Sequence, residues 1–183
     1  RRKGEIVNIS MKNDRQVLEF NIPARGLIGI TNLLLTLTEG EAVIAHRFKG
    51  FEPWKGEISS RTNGSLVAKE TGTAIAYSIN KLQDRGKFFI EPGDEVYAGM
   101  IIGEHTRSDD LVVNVCITKK LTNVRAAGSD EKIMIAPAVK FSLEDAMEYL
   151  KEDEYLEVTP KNIRLRKIIL DENERRKQQK NNN

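Results

Sequence analysis

Short strand-like segments, separated by turn residues, recur along the chain from residue 65 onward, and they constrain the fold more than any other feature. Thr71-Gly72 and Pro92-Gly93 are examples of the turn-forming pairs between them. The segments read SLVAKE, TAIAYSI, KFFIE, EVYAGMIIGEH, DLVVNVCI, KIMIAPAV, YLEVT and NIRLRKIIL. Regular short strands joined by polar turns are typical of antiparallel barrels and sandwiches. We therefore predict a mostly antiparallel, barrel-like β domain.

Two short helices are predicted within the same part of the chain. SLEDAMEYLKE places Leu143, Met147 and Leu150 on one apolar stripe, which indicates core packing. DENERRKQQ begins at Asp171, a residue type that caps helix N-termini well, and Glu174 follows three positions later. The second helix leads into a polar tail.

The first part of the chain has a different pattern. EIVNISM and QVLEFNIP are strand-like and are joined by the turn-forming KNDR, and EAVIAHRF is a later strand candidate. Between them, Leu27, Ile30, Leu34 and Leu37 have helical spacing, and Gly40 is a natural helix stop. Residues 4–48 therefore predict β-β-α-β. FEPWKGEISSRTNG marks a boundary, so we expect an α+β protein with domains at 1–52 and 53–183.

The sequence contains little that points to catalysis. It has no G-x-x-x-x-G-K-[ST] phosphate loop, and neither His46 nor His105 has a partner at metal-ligand spacing. We therefore predict no catalytic residue, no metal site and no enzyme activity in this chain. Cys116 is the single cysteine of 183 residues, which fits a reducing, cytoplasmic compartment, and we expect it to be a small core residue. No apolar run is long enough for a membrane span.

One long connection stands out between the strand candidates LVVNVCI and IMIAPAV. The segment TKKLTNVRAAGSDEK supplies Lys119, Lys120 and Arg125, with no acid before Asp130. Cationic groups and the neutral amide of Asn123 suit phosphate and ribose oxygens. Loops this long are uncommon in compact domains and are usually functional or disordered. RNA contact and a mobile linker are the two interpretations that the composition leaves open.

Several motifs carry a family resemblance that spans essentially the whole chain. They are RRKGEI, IPARGLIG, RTNGSLVAKETGTAIAYSINKLQDRGKFFIEPGDEVYAGMIIGEHTRSDDLVVNV, KKLTNVRAAGSDE and LEVTPKNIRLRKIIL. Together they resemble the C-terminal part of the ribosome-associated translational GTPases called the BipA or TypA family. The stretch from LQDRGK to KKLTNVRA is the most specific. RRKGEI followed by IPARGLIG is similar to the more widely shared fifth domain of the elongation factor G group.

The resemblance implies a bacterial parent protein that binds the ribosome near its factor site and takes part in stress response, cold growth and large-subunit assembly. GTP and magnesium would bind an N-terminal domain outside this chain. Residues 1–52 would be the end of a ferredoxin-like fifth domain that faces large-subunit rRNA. They would lack its first strand and helix, so we expect the fragment to self-associate through the truncated sheet.

The same resemblance implies a role for the long loop, which would reach toward the peptidyl-transferase region and the acceptor end of A-site tRNA. The candidate RNA-binding residues are therefore Lys119, Lys120, Asn123 and Arg125, together with Arg25, Arg164 and Arg166. Arg164 and Arg166 share one face of a strand. The alternative is a structural or protein-interaction domain, with RNA contact confined to the truncated fifth domain. Scattered arginines paired with the acidic helix SLEDAMEYLKE would favour this alternative.

Overall fold

The chain forms two units, which are described separately. The computed structural model describes residues 2–56, 58, 61–118 and 134–181. The first unit is Arg1–Arg61 with Leu143–Tyr149, and the second is Thr62–Ser142 with Leu150–Asn183. Helices combine with mostly antiparallel strands, which confirms the predicted α+β class. The family domain boundary after residue 52 stays a prediction. Among the described residues, no helix has the length and apolar character needed to cross a membrane.

The first unit begins with a β-hairpin. Strand β1 (Glu5–Lys12) pairs antiparallel with β2 (Arg15–Asn21). Asn13 and Asp14 join them with φ values of 48° and 62°. A two-residue hairpin turn of type I′ needs positive φ at both central positions, and Asn and Asp tolerate it well. The two predicted strands and their polar turn are therefore confirmed.

A helix follows the hairpin, as predicted. A short 3-10 helix, Ala24–Leu27, precedes α1 (Ile30–Leu37). The Gly40 amide donates to the Leu35 carbonyl over 2.7 Å, which is the six-residue closure of a Schellman motif. Gly40 has a φ of +90°, so it suits the chain reversal that ends the helix.

The strand predicted for EAVIAHRF is wrong. Residues 41–56 have no regular secondary structure, and Val43 is 84% exposed. A strand needs a ladder of backbone hydrogen bonds with a neighbour. In the described part of this unit, β1 and β2 pair only with each other, so the β-branched residues of this segment find no strand beside them.

The helix predicted after Ser142 is confirmed as Leu143–Tyr149, which belongs to the first unit. Its Glu148 carboxylate forms an ion pair with the Arg2 guanidinium. Arg2 also donates to the backbone carbonyls of Gly26 and Ile28, so one side chain ties this helix to the segment that precedes α1.

The second unit is organised around a central strand, Met100–His105, whose six residues are buried or nearly so. Its strands are β3 (Ser65–Ala68), β4 (Gly72–Thr73), β5 (Gly86–Phe88), β6 (Glu95–Val96), β7 (Met100–His105), β8 (Leu111–Val113), β9 (Glu154–Val158) and β10 (Ile163–Lys167). The main sheet has the order β8-β3-β7-β10-β9, and β5 also pairs with β7. Only the β3–β8 pair is parallel, and β4 and β6 form a separate antiparallel pair.

The hydrophobic core lies against this sheet. Leu66, Ile79, Ile102 and Val115 are at most 1% exposed and belong to one cluster. The described strands form an open sheet rather than a closed barrel, with β8 and β9 at its edges. Because β8 is only three residues long and runs parallel to β3, it offers little length for pairing with another strand.

The strand predicted for TAIAYSI is largely wrong. Only Gly72–Thr73 is extended, and a helix, α2 (Ala76–Leu82), follows. The β-branched residues favour a strand, but Ile75, Ile79 and Leu82 recur at positions i, i+4 and i+7. That spacing places them on one helical face, and Ile79 is fully buried.

Two further predictions concern the C-terminal half. The strand predicted for KIMIAPAV is wrong for residues 134–139, which have no regular secondary structure, and residues 132 and 133 lie outside the described residues. The final helix is confirmed, and we label the helices after α2 as α3 (Leu143–Tyr149) and α4 (Glu172–Asn181). The Glu174 amide donates to the Asp171 carboxylate over 2.9 Å, which confirms the predicted N-cap.

Candidate nucleic-acid interface

The four loop residues predicted to contact RNA lie outside the described residues. They are Lys119, Lys120, Asn123 and Arg125. The structure does describe the segments on either side, which we call the N-terminal flank (114–118) and the C-terminal flank (134–140). Both belong to the second unit, so the core of that unit determines where the loop begins and ends.

The N-terminal flank is attached to α2 and to the turn before it. The Ile75 amide donates to the Val115 carbonyl over 2.9 Å, and the buried Ser78 hydroxyl donates to the Ile117 carbonyl over 2.6 Å. Val115 is 1% exposed and belongs to the core cluster. Val115, a buried core residue, therefore lies only a few positions before the first predicted cation, Lys119.

Cys116 lies in the same flank and packs against the core cluster, as predicted. A Cβ atom at Gly72 would come within 2.9 Å of its sulfur, so the glycine makes room for the thiol. Burial raises the pKa of the Cys116 thiol, and the nearby Glu70 carboxylate raises it further. Since the thiolate is the reactive form, this environment disfavours reactivity.

The C-terminal flank is held by Gln83, which begins the 3-10 helix directly after α2. The Gln83 amide nitrogen donates to the Met134 carbonyl over 3.2 Å, and its amide oxygen accepts from the Ala136 backbone amide over 3.4 Å. Further along, the Val139 amide donates to the Phe88 carbonyl over 2.8 Å. Successive bonds therefore follow this flank from its first described residue to β5.

An apolar cleft separates the C-terminal flank from α2 and β5. Its volume is about 420 Å³. The residues around it are Ile79, Gln83, Gly86, Lys87, Phe88, Ile135, Ala136, Pro137 and Val139. Ile135 also packs against the core cluster, so the flank is attached by apolar contact as well as by hydrogen bonds.

Arg25, in the first unit, is already engaged within the protein. Its guanidinium carbon lies 3.5 Å from the centre of the Trp54 ring, and it donates to the Gly56 carbonyl. This is a cation–π arrangement with one hydrogen bond added. The side chain is half-buried, so only part of its charge faces solvent.

Arg164 and Arg166 lie on one face of β10, as predicted, and this face is shared with β9. Arg164 is opposite Glu157, and Arg166 is opposite Tyr155. The Arg166 guanidinium forms a 2.9 Å ion pair with Glu157 and lies 5.1 Å from the Tyr155 ring centre. Arg166 thus has an acidic partner on the neighbouring strand, whereas the prediction had considered acids of a helix.

The same carboxylate also accepts from a tyrosine. The Tyr97 hydroxyl donates to Glu157 over 2.6 Å. Burial raises the pKa of Tyr97 well above its ordinary value, and the bond to Glu157 raises it further, while Arg166 and Arg164 oppose this change. Tyr97 therefore stays a neutral hydrogen-bond donor to Glu157.

A buried charged cluster in the second unit was missed at the level of the sequence. The Lys167 ammonium is 1% exposed and lies 2.5 Å from Asp110, 2.7 Å from Asp153 and 3.0 Å from Glu154. Ser65 donates its hydroxyl to Glu154 and its backbone amide to Asp110. The cluster joins β3, β9 and β10 to the turn before β8, and the Lys167 ammonium at its centre is shielded from solvent.

Two protein families match consecutive parts of the chain. Residues 1–62 match the family described as elongation factor G C-terminus, which is the broader class of translation factor. Residues 63–172 match the family described as TypA/BipA C-terminal domain. The chain belongs to the TypA/BipA family, as the resemblance implied.

Curated relatives agree with this assignment. The protein named "Large ribosomal subunit assembly factor BipA" from Bacillus subtilis is 50% identical over 96% of this chain. Proteins of the same name are 45% identical in Salmonella typhimurium, over 96% of the chain, and 46% identical in Synechocystis, over 91%. The chain covers 29% of the first two relatives and 28% of the third, so it spans less than a third of their length.

Proposed function

We propose that this chain is the ribosome-binding C-terminal part of a cytoplasmic translational GTPase that assists assembly of the large ribosomal subunit. The name shared by its relatives supports the ribosomal role. The parent protein binds and hydrolyses GTP, with magnesium, in a domain outside this chain, and it acts in the stress response. The chain itself contributes binding and no catalysis.

The loop carries the specific contacts in this proposal. Lys119, Lys120 and Arg125 bind phosphates of large-subunit rRNA and of the acceptor end of A-site tRNA, and Asn123 donates to a ribose or base oxygen. The observation that supports this most is the attachment of both flanks to one buried core, through Ser78 and Gln83. A loop with fixed ends loses less conformational freedom when it binds than a free tail does.

The three arginines contribute differently. Arg164 forms no ion pair with another described residue, so its charge is available to a phosphate. Arg25 and Arg166 have partners in Trp54 and Glu157, so their contact with RNA uses only the donors that remain free. Their share of the binding free energy is therefore expected to be smaller.

The test uses the full-length protein with Lys119, Lys120 and Arg125 replaced by alanine. Binding to purified bacterial 70S ribosomes is measured at several salt concentrations, with a non-hydrolysable GTP analogue held constant. We expect weaker binding and a salt dependence flatter by about one unit of logarithmic slope per lost phosphate contact. The charge-matched control replaces Arg176, Lys177 and Lys180 of α4. Equal slopes for the two triple variants would refute phosphate contact by the loop.

A second candidate function is a structural or protein-interaction domain in which only residues 1–52 contact RNA. The Arg166–Glu157 pair favours it, because a neutralised arginine attracts phosphate less strongly. This candidate predicts that both triple variants bind ribosomes as the natural sequence does, while Arg25→Ala weakens binding.

A further inference from the structure

The helix α2 and the residue after it contact both ends of the long loop. Ser78, in the first turn of α2, donates to the Ile117 carbonyl over 2.6 Å, and Ser78 is 5% exposed. Gln83 donates to the Met134 carbonyl and accepts from the Ala136 amide.

These contacts use side chains where a sheet would use its backbone. The flanks do not pair with each other as strands in the described residues, so no ladder of backbone bonds fixes the distance between them. Two polar side chains on one rigid element, five positions apart in sequence, perform this task instead. Ile79, between them, is fully buried in the core and fixes α2 itself.

The Gln83 side chain can bond to the C-terminal flank both as a donor and as an acceptor, which few side chains can do. A primary amide has donors and acceptors on one planar group, so it can serve a carbonyl and a backbone amide at once. Asn80 provides a further acceptor, because its side-chain oxygen lies 2.9 Å from the Gln83 amide nitrogen. The orientation of the Gln83 amide is thereby determined from its own helix as well as from the flank.

We infer that α2 and Gln83 are a clasp that holds the two flanks in the arrangement needed for ribosome binding, with Ser78 and Gln83 as positioning residues. This inference rests on the proposed function of the loop. Neither residue contacts the ribosome. Each lowers the conformational entropy that the loop loses on binding, and so raises affinity without adding a phosphate contact.

The first measurement separates positioning from contact. In the full-length protein, Gln83→Met keeps the length and apolar stem of the side chain and removes its hydrogen bonds. We expect affinity for purified 70S ribosomes to fall about threefold to tenfold, which corresponds to the loss of one or two neutral hydrogen bonds. The salt slope should equal that of the natural sequence, because the phosphate contacts remain. The matched control is Gln178→Met at an exposed position of α4.

The second measurement does not depend on the ribosome. Hydrogen exchange of the Ala136 amide should accelerate at least about threefold in Gln83→Met, while the Val139 amide, bonded to Phe88, keeps its protection. If Gln83→Met impairs folding, Ser78→Ala tests the other end of the clasp through the same assays. If the loop triple variant failed to change ribosome binding, the proposed function would be rejected. The exchange experiment would still show whether Gln83 holds the C-terminal flank.

Three results would overturn the inference. One is a ribosome affinity of Gln83→Met equal to that of Gln178→Met. Another is a flatter salt slope in Gln83→Met, since this would mean that phosphate contacts themselves had been lost. The last is unchanged exchange at Ala136, because the amide would then owe its protection to something other than Gln83.

Discussion

The Lys167 ammonium lies 2.5 Å from the Asp110 carboxylate, and the lysine side chain is 1% exposed. Asp110 precedes β8, whereas Lys167 ends β10, so their ion pair connects strands from opposite halves of the main sheet. Asp153 and Glu154 complete the group around the same ammonium. Removing Lys167 is costly because the fully buried Glu154 carboxylate would stay behind without its counter-charge.

We therefore expect Lys167→Met to destabilise the protein strongly at neutral pH. The cost should be about 3 to 5 kcal/mol, since Glu154 is fully buried and would lose its counter-charge. Urea unfolding monitored by circular dichroism gives the difference. Lys161→Met, at an exposed lysine in the preceding turn, is the control and should change stability by less than about 0.5 kcal/mol. A small effect at Lys167 would mean that the cluster is solvated in solution.

The pH dependence of stability follows from the same cluster. Burial raises the pKa of Asp110, but the hydrogen bonds from Lys167 and Ser65 outweigh it, so the net pKa lies below its ordinary value. Burial likewise lowers the pKa of Lys167, and the carboxylates of Glu154, Asp110 and Asp153 reverse this into a net increase. A lowered acid pKa stabilises the fold above its unfolded value, and a raised lysine pKa stabilises it below its unfolded value.

The contribution of the cluster should therefore be complete between about pH 4 and pH 10 and decline outside this window. In Lys167→Met the pKa of Asp110 should be higher than in the natural sequence, because the hydrogen bond and the charge of Lys167 that lower it are lost. The stability difference between the two proteins should shrink as the pH falls from 7 toward 4. Parallel stability curves over this range would contradict the assignment.

Gly99→Ala is expected to destabilise the protein through a steric clash, and comparison with Gly93→Ala separates this clash from backbone strain. Gly99 has a φ of +84°, and a Cβ atom there would come within 2.7 Å of the Leu170 Cα atom. Gly93 has a similar φ of +97°, but a Cβ atom there would meet no atom within 4 Å. Gly93→Ala should therefore cost about 1 to 2 kcal/mol from backbone strain alone.

Gly99→Ala should cost more than Gly93→Ala, because the backbone around Leu170 must also move. The Gly99 carbonyl accepts from the Lys167 amide over 2.9 Å, so this movement would disturb the end of β10. Thermal unfolding of both variants provides the comparison. Equal costs at the two glycines would show that the contact with Leu170 relaxes freely.

The sequence predicted the class of fold from local patterns, but it misplaced elements that depend on distant partners. EAVIAHRF has the composition of a strand, yet no described strand lies beside it. TAIAYSI contains both a strand-like and a helical pattern, and burial of Ile79 in the core decides for the helix. The alternation of apolar and polar residues along a segment gives no information about such tertiary contacts.

The same limit applies to the candidate site. Alternation along IRLRK correctly places Arg164 and Arg166 on one face, and it also places Lys167 on the apolar face beside Leu165. A lysine at such a position is a usable sign of a buried ion pair. Its partners could not be predicted, because Asp110 and Glu154 approach it only through the sheet. Gln83 gave no sign at all, since its function depends on the path of residues far along the chain.

This chain alone is expected neither to bind nor to hydrolyse GTP. Its sequence contains no phosphate-binding loop of the G-x-x-x-x-G-K-[ST] type, in which backbone amides and a lysine hold the nucleotide. Titration calorimetry with GTP and magnesium should give no heat beyond dilution, and the full-length protein is the positive control. Saturable binding at about micromolar affinity would contradict this expectation.

Hydrogen exchange should distinguish the two units of the isolated chain. The β1–β2 hairpin has one apolar face, formed by Ile6, Ile9, Leu18 and Phe20, and each of these side chains is 47% to 59% exposed. A two-stranded hairpin is marginally stable in water. Strand β7, by contrast, is hydrogen-bonded to a strand on each side, and its residues are almost completely buried.

In dilute solution the amides of 5–21 should therefore exchange at least about a hundredfold faster than those of 100–105. Burying each large apolar side chain contributes roughly 1.5 to 3 kcal/mol, so association through the hairpin face is favourable, and protection of 5–21 should rise with protein concentration. Leu18→Lys should abolish this rise, whereas Asn8→Lys, on the opposite face, should leave it. Equal protection of both regions in a sample that sedimentation shows to be monomeric would mean that the hairpin is stable without a partner.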